Sequence, residues 1–371
     1  MSCALTPEQI ALGDAVADLL AKRSPEPEVR RLMDEEAGYD AALWGELAEM
    51  GLLGLVIPDE FGGSGAGSAE LAVVSERMGV SLLCAPYLST AVLTPYLLAA
   101  LGDDAECAAV LPRIARGELI ATVAFAESGN ARPPHDPATE ATEADDGTWS
   151  LTGEKTYVLD AAAAGLFYAL AQTPMGTAIF AVDRSAVSVT PLATVDKTRK
   201  QGRIILDRTP ARLVGGIGTA QTALDSALDR AGVALIAEQA GGAMRAMQMA
   251  TDYARTRFQF GRSIGSFQAV KHMCVDILLE AQSAVSAARH VAAAFDAQEP
   301  DRLIDLALAQ AYCSEAYVTT AATNIQVHGG IGFTWEHPAH LYLRRARTDE
   351  QIFGDPAWHR ERYVQLREEI P

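Results

Sequence analysis

The C-terminal part of this chain contains three long alanine-rich segments, residues 219–256, 266–296 and 301–327. Each is long enough to form a helix of a bundle. In the second, Phe267, Val270, Met273, Cys274, Ile277 and Leu278 recur at i, i+3 and i+4 steps, giving an apolar stripe that another helix must cover. So much sequence given to helix faces excludes an all-β fold. With no repeat at a period of roughly 20–50 residues, a solenoid is excluded too.

Residues 1–117 also read as helical. Thr6-Pro7-Glu8 has the form of an N-cap, a proline at the first helical position and an acid in the first turn. Ile10, Leu12, Val16, Leu19 and Leu20 follow, and a second stripe, Leu43 to Met50, stops at Gly51. Pro58 to Gly65 reads as a loop, with helices resuming over Leu71–Met78, Leu93–Leu101 and Cys107–Ile114. Residues 118–215 change character. Leu119–Phe125 is a β run, Arg132–Gly147 reads as a solvated loop, and Thr148–Leu159 reads as a hairpin pair. Short strands follow at Leu166–Leu170, Thr177–Val182, Val187–Pro191 and Arg203–Leu206. The expected fold is α+β, mostly α. It has an N-terminal helical domain (1–117), a middle β-sandwich or barrel (118–215) and a C-terminal four-helix bundle (216–371).

With 30 basic against 48 acidic residues, the net charge is −18. That excess argues against nucleic acid or an anionic membrane as partner, because such binding relies on Lys and Arg neutralising phosphate. The five cysteines are scattered and include no CxxC, so neither a disulfide framework nor a zinc site is expected. No secretory leader and no apolar run near ~20 residues is read, so the expected location is the cytoplasm. His337 and His340 lack a third ligand nearby and read as surface or helix-end histidines; no metal is expected.

The usual nucleophile, zinc and phosphate-loop patterns are missing from the sequence. Two other stretches carry chemistry. Arg257-Phe258-Gln259-Phe260-Gly261-Arg262, running on through Gln268 to His272, puts cations, amides and glycines at a helix junction, where Arg forks and helix N-terminal amides can meet a pyrophosphate. Gln326-Val327-His328-Gly329-Gly330-Ile331-Gly332 offers glycines that let backbone approach a ligand closely.

These two stretches, together with Ile57-Pro58-Asp59-Glu60-Phe61-Gly62-Gly63, Leu151–Val158, Asp196-Lys197-Thr198-Arg199 and Gln326–Ala346, carry a resemblance to the acyl-CoA dehydrogenase family over nearly the whole chain. The resemblance implies non-covalent FAD, an acyl-CoA substrate, a homo- or hetero-tetramer and electron-transfer flavoprotein as acceptor. It also implies that Arg257, Phe260 and Gln268, with Gln326, Gly329 and Gly330, hold the adenosine and pyrophosphate of a neighbouring subunit's FAD. Tyr157 matches the aromatic beside the flavin ring. In the family chemistry, a carboxylate in a dry pocket removes the α-proton of the thioester while hydride leaves the β-carbon for flavin.

The chain departs from the family at the base. One family position falls in a Tyr-Glu-Gly-Thr-like stretch that here reads Ile352-Phe353-Gly354-Asp355-Pro356, making Asp355 a candidate. The other falls near Asp229-Arg230-Ala231, with Glu238 about two helical turns on. The family loop touching flavin and CoA is reduced to Ala126-Glu127-Ser128-Gly129-Asn130, and a threonine has become Leu159. What a neighbour would receive is kept, and what the chain's own site needs is eroded. This combination resembles two-gene actinobacterial dehydrogenases acting on bulky, steroid-derived acyl groups. The alternatives are a self-sufficient homotetramer with a displaced base and a non-catalytic or oxygen-reacting flavoprotein of the same fold. The small residues Ala240 to Ala243 read as tight helix packing or as room for a bulky acyl group.

Overall fold

The computed structural model describes residues 4–127 and 132–368. Helices α1 (Pro7–Arg23), α2 (Glu26–Asp34), α3 (Ala41–Glu49), α4 (Ser68–Val80), α5 (Thr94–Leu101) and α6 (Asp104–Ala115) come first. The start of α1 is a capping box. Thr6 Oγ1 accepts from the Gln9 amide at 3.2 Å, and the Gln9 side chain accepts from the Thr6 amide at 3.0 Å. Ahead of α5, Tyr87–Leu93 forms a fully buried π-helical turn.

Strands β1 (Ala121–Ala124), β2 (Glu140–Glu143), β3 (Trp149–Leu159), β4 (Leu166–Thr173), β5 (Gly176–Asp183), β6 (Ser188–Pro191) and β7 (Gln201–Val214) follow. Their order is β1-β4-β2-β3-β7-β5, with β6 on β7. Because β5 also pairs with β4, the sheet closes on itself, as in a barrel. Two expectations need correction here. Thr148–Leu159 is not a hairpin pair: β3 runs straight through Gly153, since β7 supplies partners along its length. The charged stretch 132–147 is not all loop: Glu140–Glu143 pairs with Trp149–Thr152 and buries only Ala141.

Helices return as α7 (Ala220–Thr256), followed by a small hairpin of β8 (Phe258–Gln259) and β9 (Arg262–Ser263). Then come α8 (Gln268–Asp296), α9 (Arg302–His328), α10 (Ala339–Asp349) and α11 (Pro356–Glu368). Two compact units emerge. One comprises the chain up to Arg30, Ser68–Leu83 and everything from Gly232; the other comprises Arg31–Gly67 and Cys84–Ala231.

In the first unit, Ile236, Ala240, Ala284, Ala288, Leu306 and Ala316 form a core of mostly small side chains between α7, α8 and α9. Small residues let backbones approach. A Cβ on Gly241 would lie 1.9 Å from the Glu76 carbonyl oxygen of α4, and one on Gly242 would lie 2.4 Å from the Tyr317 ring of α9. The Ala240–Ala243 stretch is therefore tight helix packing. Cys84, Cys107 and Cys313 are buried and Cys274 half-buried, all as free thiols. Among the described residues, no helix is long and apolar enough to cross a membrane.

Candidate functional site

Arg257 begins where α7 ends. Its amide donates to the Tyr253 carbonyl at 2.8 Å, and its carbonyl accepts from Ile264 at 2.9 Å, closing the β8–β9 hairpin. At the tip, Phe260 (φ +54°) and Gly261 (φ +76°) both have positive φ, the signature of a tight type I′ connection. A phenylalanine pays strain there. It is also 89% exposed, with Phe258 at 64%. Arg262 lies over the Phe267 ring at 3.9 Å, and Phe267 meets Phe260 edge-on at 6.0 Å. This fixes the hairpin to the start of α8, where Gln268 is exposed.

The second motif ends α9. Gly329 (φ +64°, ψ −143°) adopts a backbone open to glycine, and its amide donates to the carbonyls of Ile325 and Gln326. Gly332 folds back so closely that a Cβ there would meet the His328 Cβ at 2.8 Å. At Gly329 and Gly330, by contrast, an added Cβ would find open space. Packing among the described residues does not require a glycine at Gly330. Gln326, Gly329 and Gly330 are all exposed.

The fold brings both motifs to one end of the first unit. The Tyr253 ring, one turn before Arg257, stacks on His328, two residues after Gln326, at 4.3 Å and 28°. The sequence reading gave neither ring a role; their only signal was adjacency to the two motifs. The assembled end offers the Arg257 guanidinium, the Gln268 and Gln326 amides and an open glycine surface. Those donors suit a dinucleotide pyrophosphate, so these residues fit FAD.

Tyr157 belongs to the other compact unit. Its φ of +52° lies in a register shift between Lys155 and Val158, and the side chain is 45% exposed. Beside it, fully buried Lys155 donates to Glu127 Oε1 at 2.6 Å, and Glu127 also accepts from the amides of Ala138 (2.7 Å) and Thr139 (3.0 Å). Burial pulls Lys155 down to about 8 despite this partner. Leu159 is buried. Ser128, Gly129 and Asn130 of the eroded loop lie outside the described residues.

Both candidate carboxylates are engaged. Asp355 is exposed, and its Oδ1 accepts from the Trp358 amide at 2.8 Å, so it caps α11 ahead of Pro356. Glu238 takes the Nη1 of Arg345 at 2.6 Å, with side chains 12% and 3% exposed, and Arg345 Nη2 donates to the Leu83 carbonyl at 3.2 Å. The Glu238 carboxylate is thus held in an ion pair rather than standing open to a substrate proton. His340, read as a surface or helix-end histidine, is the second residue of α10 and is buried, with Trp335 meeting its ring edge-on at 4.6 Å. Among the described residues, no group of His, Cys, Asp and Glu forms a metal site.

The acyl-CoA dehydrogenase N-terminal domain matches residues 6–118 and the C-terminal domain matches 215–365. The acyl-CoA dehydrogenase IpdE2 of Mycobacterium tuberculosis is 35% identical over 350 residues, 94% of each chain. A chain of the ChsE4-ChsE5 complex from Mycobacterium tuberculosis superposes with a TM-score of 0.89 at 30% identity, covering 100% of both chains. A variant of the Tcur3481-Tcur3483 steroid ACAD gives 0.85 at 28% identity over 98% of each. From the two domain matches and the full-length likeness, this chain belongs to the acyl-CoA dehydrogenase family, FAD-dependent oxidoreductases.

Proposed function

We propose that this chain is the subunit of a heteromeric acyl-CoA dehydrogenase that completes a partner's FAD site without supplying the catalytic base. One contrast carries the reading: the outward-facing cradle of Arg257, Gln268, Gln326, Gly329 and Gly330 is intact, whereas Asp355 and Glu238 are committed to a helix cap and an ion pair. Bound FAD supplies the hydride acceptor. The chain's own residues hold its phosphates and adenosine and cover it with the Phe258–Phe260 hairpin. The partner supplies the carboxylate that takes the α-proton. Likeness to a chain of a two-component complex and to a steroid dehydrogenase supports a bulky, steroid-derived acyl-CoA as substrate and a heteromeric assembly. The acceptor that follows from the family resemblance is electron-transfer flavoprotein, and the assembly a hetero-tetramer.

The test is to purify the chain alone and co-expressed with a candidate partner dehydrogenase chain, then measure FAD per chain and turnover of acyl-CoA. The lone chain should hold little flavin and turn over nothing, and the complex should do both. Full FAD occupancy with turnover by the lone chain would overturn the proposal and favour the self-sufficient form.

A further inference from the structure

We propose that the contacting rings of Tyr253, His328 and His337 form a positioning device that holds the Arg257 hairpin in register with the Gln326–Gly330 turn. This deepens the proposed function and rests on its reading of those motifs as a nucleotide cradle.

Three links make the connection. Tyr253 is tied to Arg257 by the 2.8 Å bond between the Arg257 amide and the Tyr253 carbonyl. In the hairpin's return path, a Cβ on Gly265 would come within 2.8 Å of the Ala254 oxygen, so the hairpin rests on the turn that bears Tyr253. On the other side, His328 stands between Gln326 and Gly329, stacks on Tyr253 at 4.3 Å and meets the His337 ring at a 43° tilt and 4.2 Å. A displacement of either motif must slide or part these rings.

The hydrogen bonds set the protonation states the stack needs. His328 Nδ1 faces the Asn324 carbonyl at 2.8 Å and therefore carries a proton. His337 Nδ1 accepts the Ala339 amide at 3.2 Å, so a neutral His337 bears its proton on Nε2. His340 Nδ1 accepts from Arg344 Nε at 3.3 Å in the same way. A second proton on His337 or His340 sets N–H against N–H.

The charged groups facing the cluster are Glu26 and Arg30 of α2 and Arg344 of α10. Glu26 and Arg30 pair with each other at 2.8 Å, so little negative charge remains to welcome an imidazolium. Burial lowers His328 and His337 below their ordinary 6.5 and takes His340 to about 4. The stack is closed with neutral rings, and acid works against it.

The experiment compares wild type, Tyr253→Phe, Tyr253→Ala and His337→Asn. One readout is FAD affinity of the assembled complex. The other, on the full chain alone at a common pH, is amide exchange over residues 257–266 and 326–333. Tyr253→Phe should match wild type, since the ring and not the hydroxyl acts. Tyr253→Ala should weaken FAD roughly three- to tenfold, the scale of one aromatic pair, and should speed exchange in both segments together. Wild-type affinity should fall between pH 7.5 and 5.5. His337→Asn keeps an acceptor but cannot titrate, so its affinity should fall less than wild type over that range, with His340 supplying what remains. Faster exchange in the hairpin alone, or a His337→Asn profile that follows wild type, would overturn the device. A complex that contains no FAD would instead overturn the cradle reading, and the exchange data would still decide whether the rings couple the two segments.

Discussion

At Asp355 two roles compete for one carboxylate. Asp followed by Pro is a favoured way to open a helix, and the structure uses it so: Oδ1 caps α11 and Pro356 takes the first helical position. The dipeptide was legible as a cap in the sequence; position along the chain suggested a base instead. Asp355→Asn, which also caps well, should leave turnover of the assembled enzyme and its melting temperature nearly unchanged. Asp355→Ala should cost about 1 kcal/mol of stability, read by denaturant unfolding, with turnover intact. A large fall in turnover for Asp355→Asn would restore it as the base. Glu238 is harder to read from sequence, because its partner Arg345 stands 107 positions away and only folding brings the two together. Glu238→Gln leaves a buried guanidinium with a weaker partner and should destabilise by about 3 kcal/mol or more.

At the scale of elements, the alanine-rich periodicity announced α7, α8 and α9 within a few residues of their ends, since the pattern that predicts a helix also buries it. β3 was misread because Thr-Gly-Glu resembles a turn locally; its continuation depends on β7, some fifty residues away, whose pairing no local signal reports. Which of the two readings of the small residues on α7 holds, tight packing or acyl room, likewise depends on α4, which no local signal places. Gly241→Ala drives a methyl group into the Glu76 carbonyl of the facing helix, which cannot swing away as a side chain would. It should destabilise by about 3 kcal/mol, the upper end for overpacking, or push α4 off α7, with thermal unfolding as the measure. Unchanged stability would mean that the helices separate freely and that this surface has room after all. The α10 histidine gives the pH side of the same unit. His340 is neutral in the fold at about 4 and ordinary at 6.5 when unfolded, so the unfolded chain binds more protons between those values. Stability is therefore full above pH 6.5 and falls as pH drops toward 4. The loss from this group is about 3 kcal/mol at most, and His340→Asn should remove that part of the slope in melts run at successive pH values.

The whole molecule presents an imbalance: a chain of net charge −18 exposes Phe258, Phe260, Phe333 and Trp335, at 64, 89, 81 and 54%, around the end where α7 and α9 stop. Single exposed apolar residues need no explanation, but large aromatics gathered beside the proposed nucleotide cradle do. On the heteromer reading they are the contact with the partner, buried only on assembly. Phe260→Ser and Phe333→Ser should therefore leave the lone chain's stability within about 0.5 kcal/mol, as surface changes do. In the complex, the same substitutions should weaken subunit association, measured by sedimentation, and lower FAD per complex in proportion. Met175, 70% exposed at the turn before β5, is the control, and Met175→Ser should alter neither quantity. If Phe260→Ser and Phe333→Ser assembled and retained flavin as well as that control, the aromatic end would face water in the working enzyme and the shared FAD site would lose its physical basis.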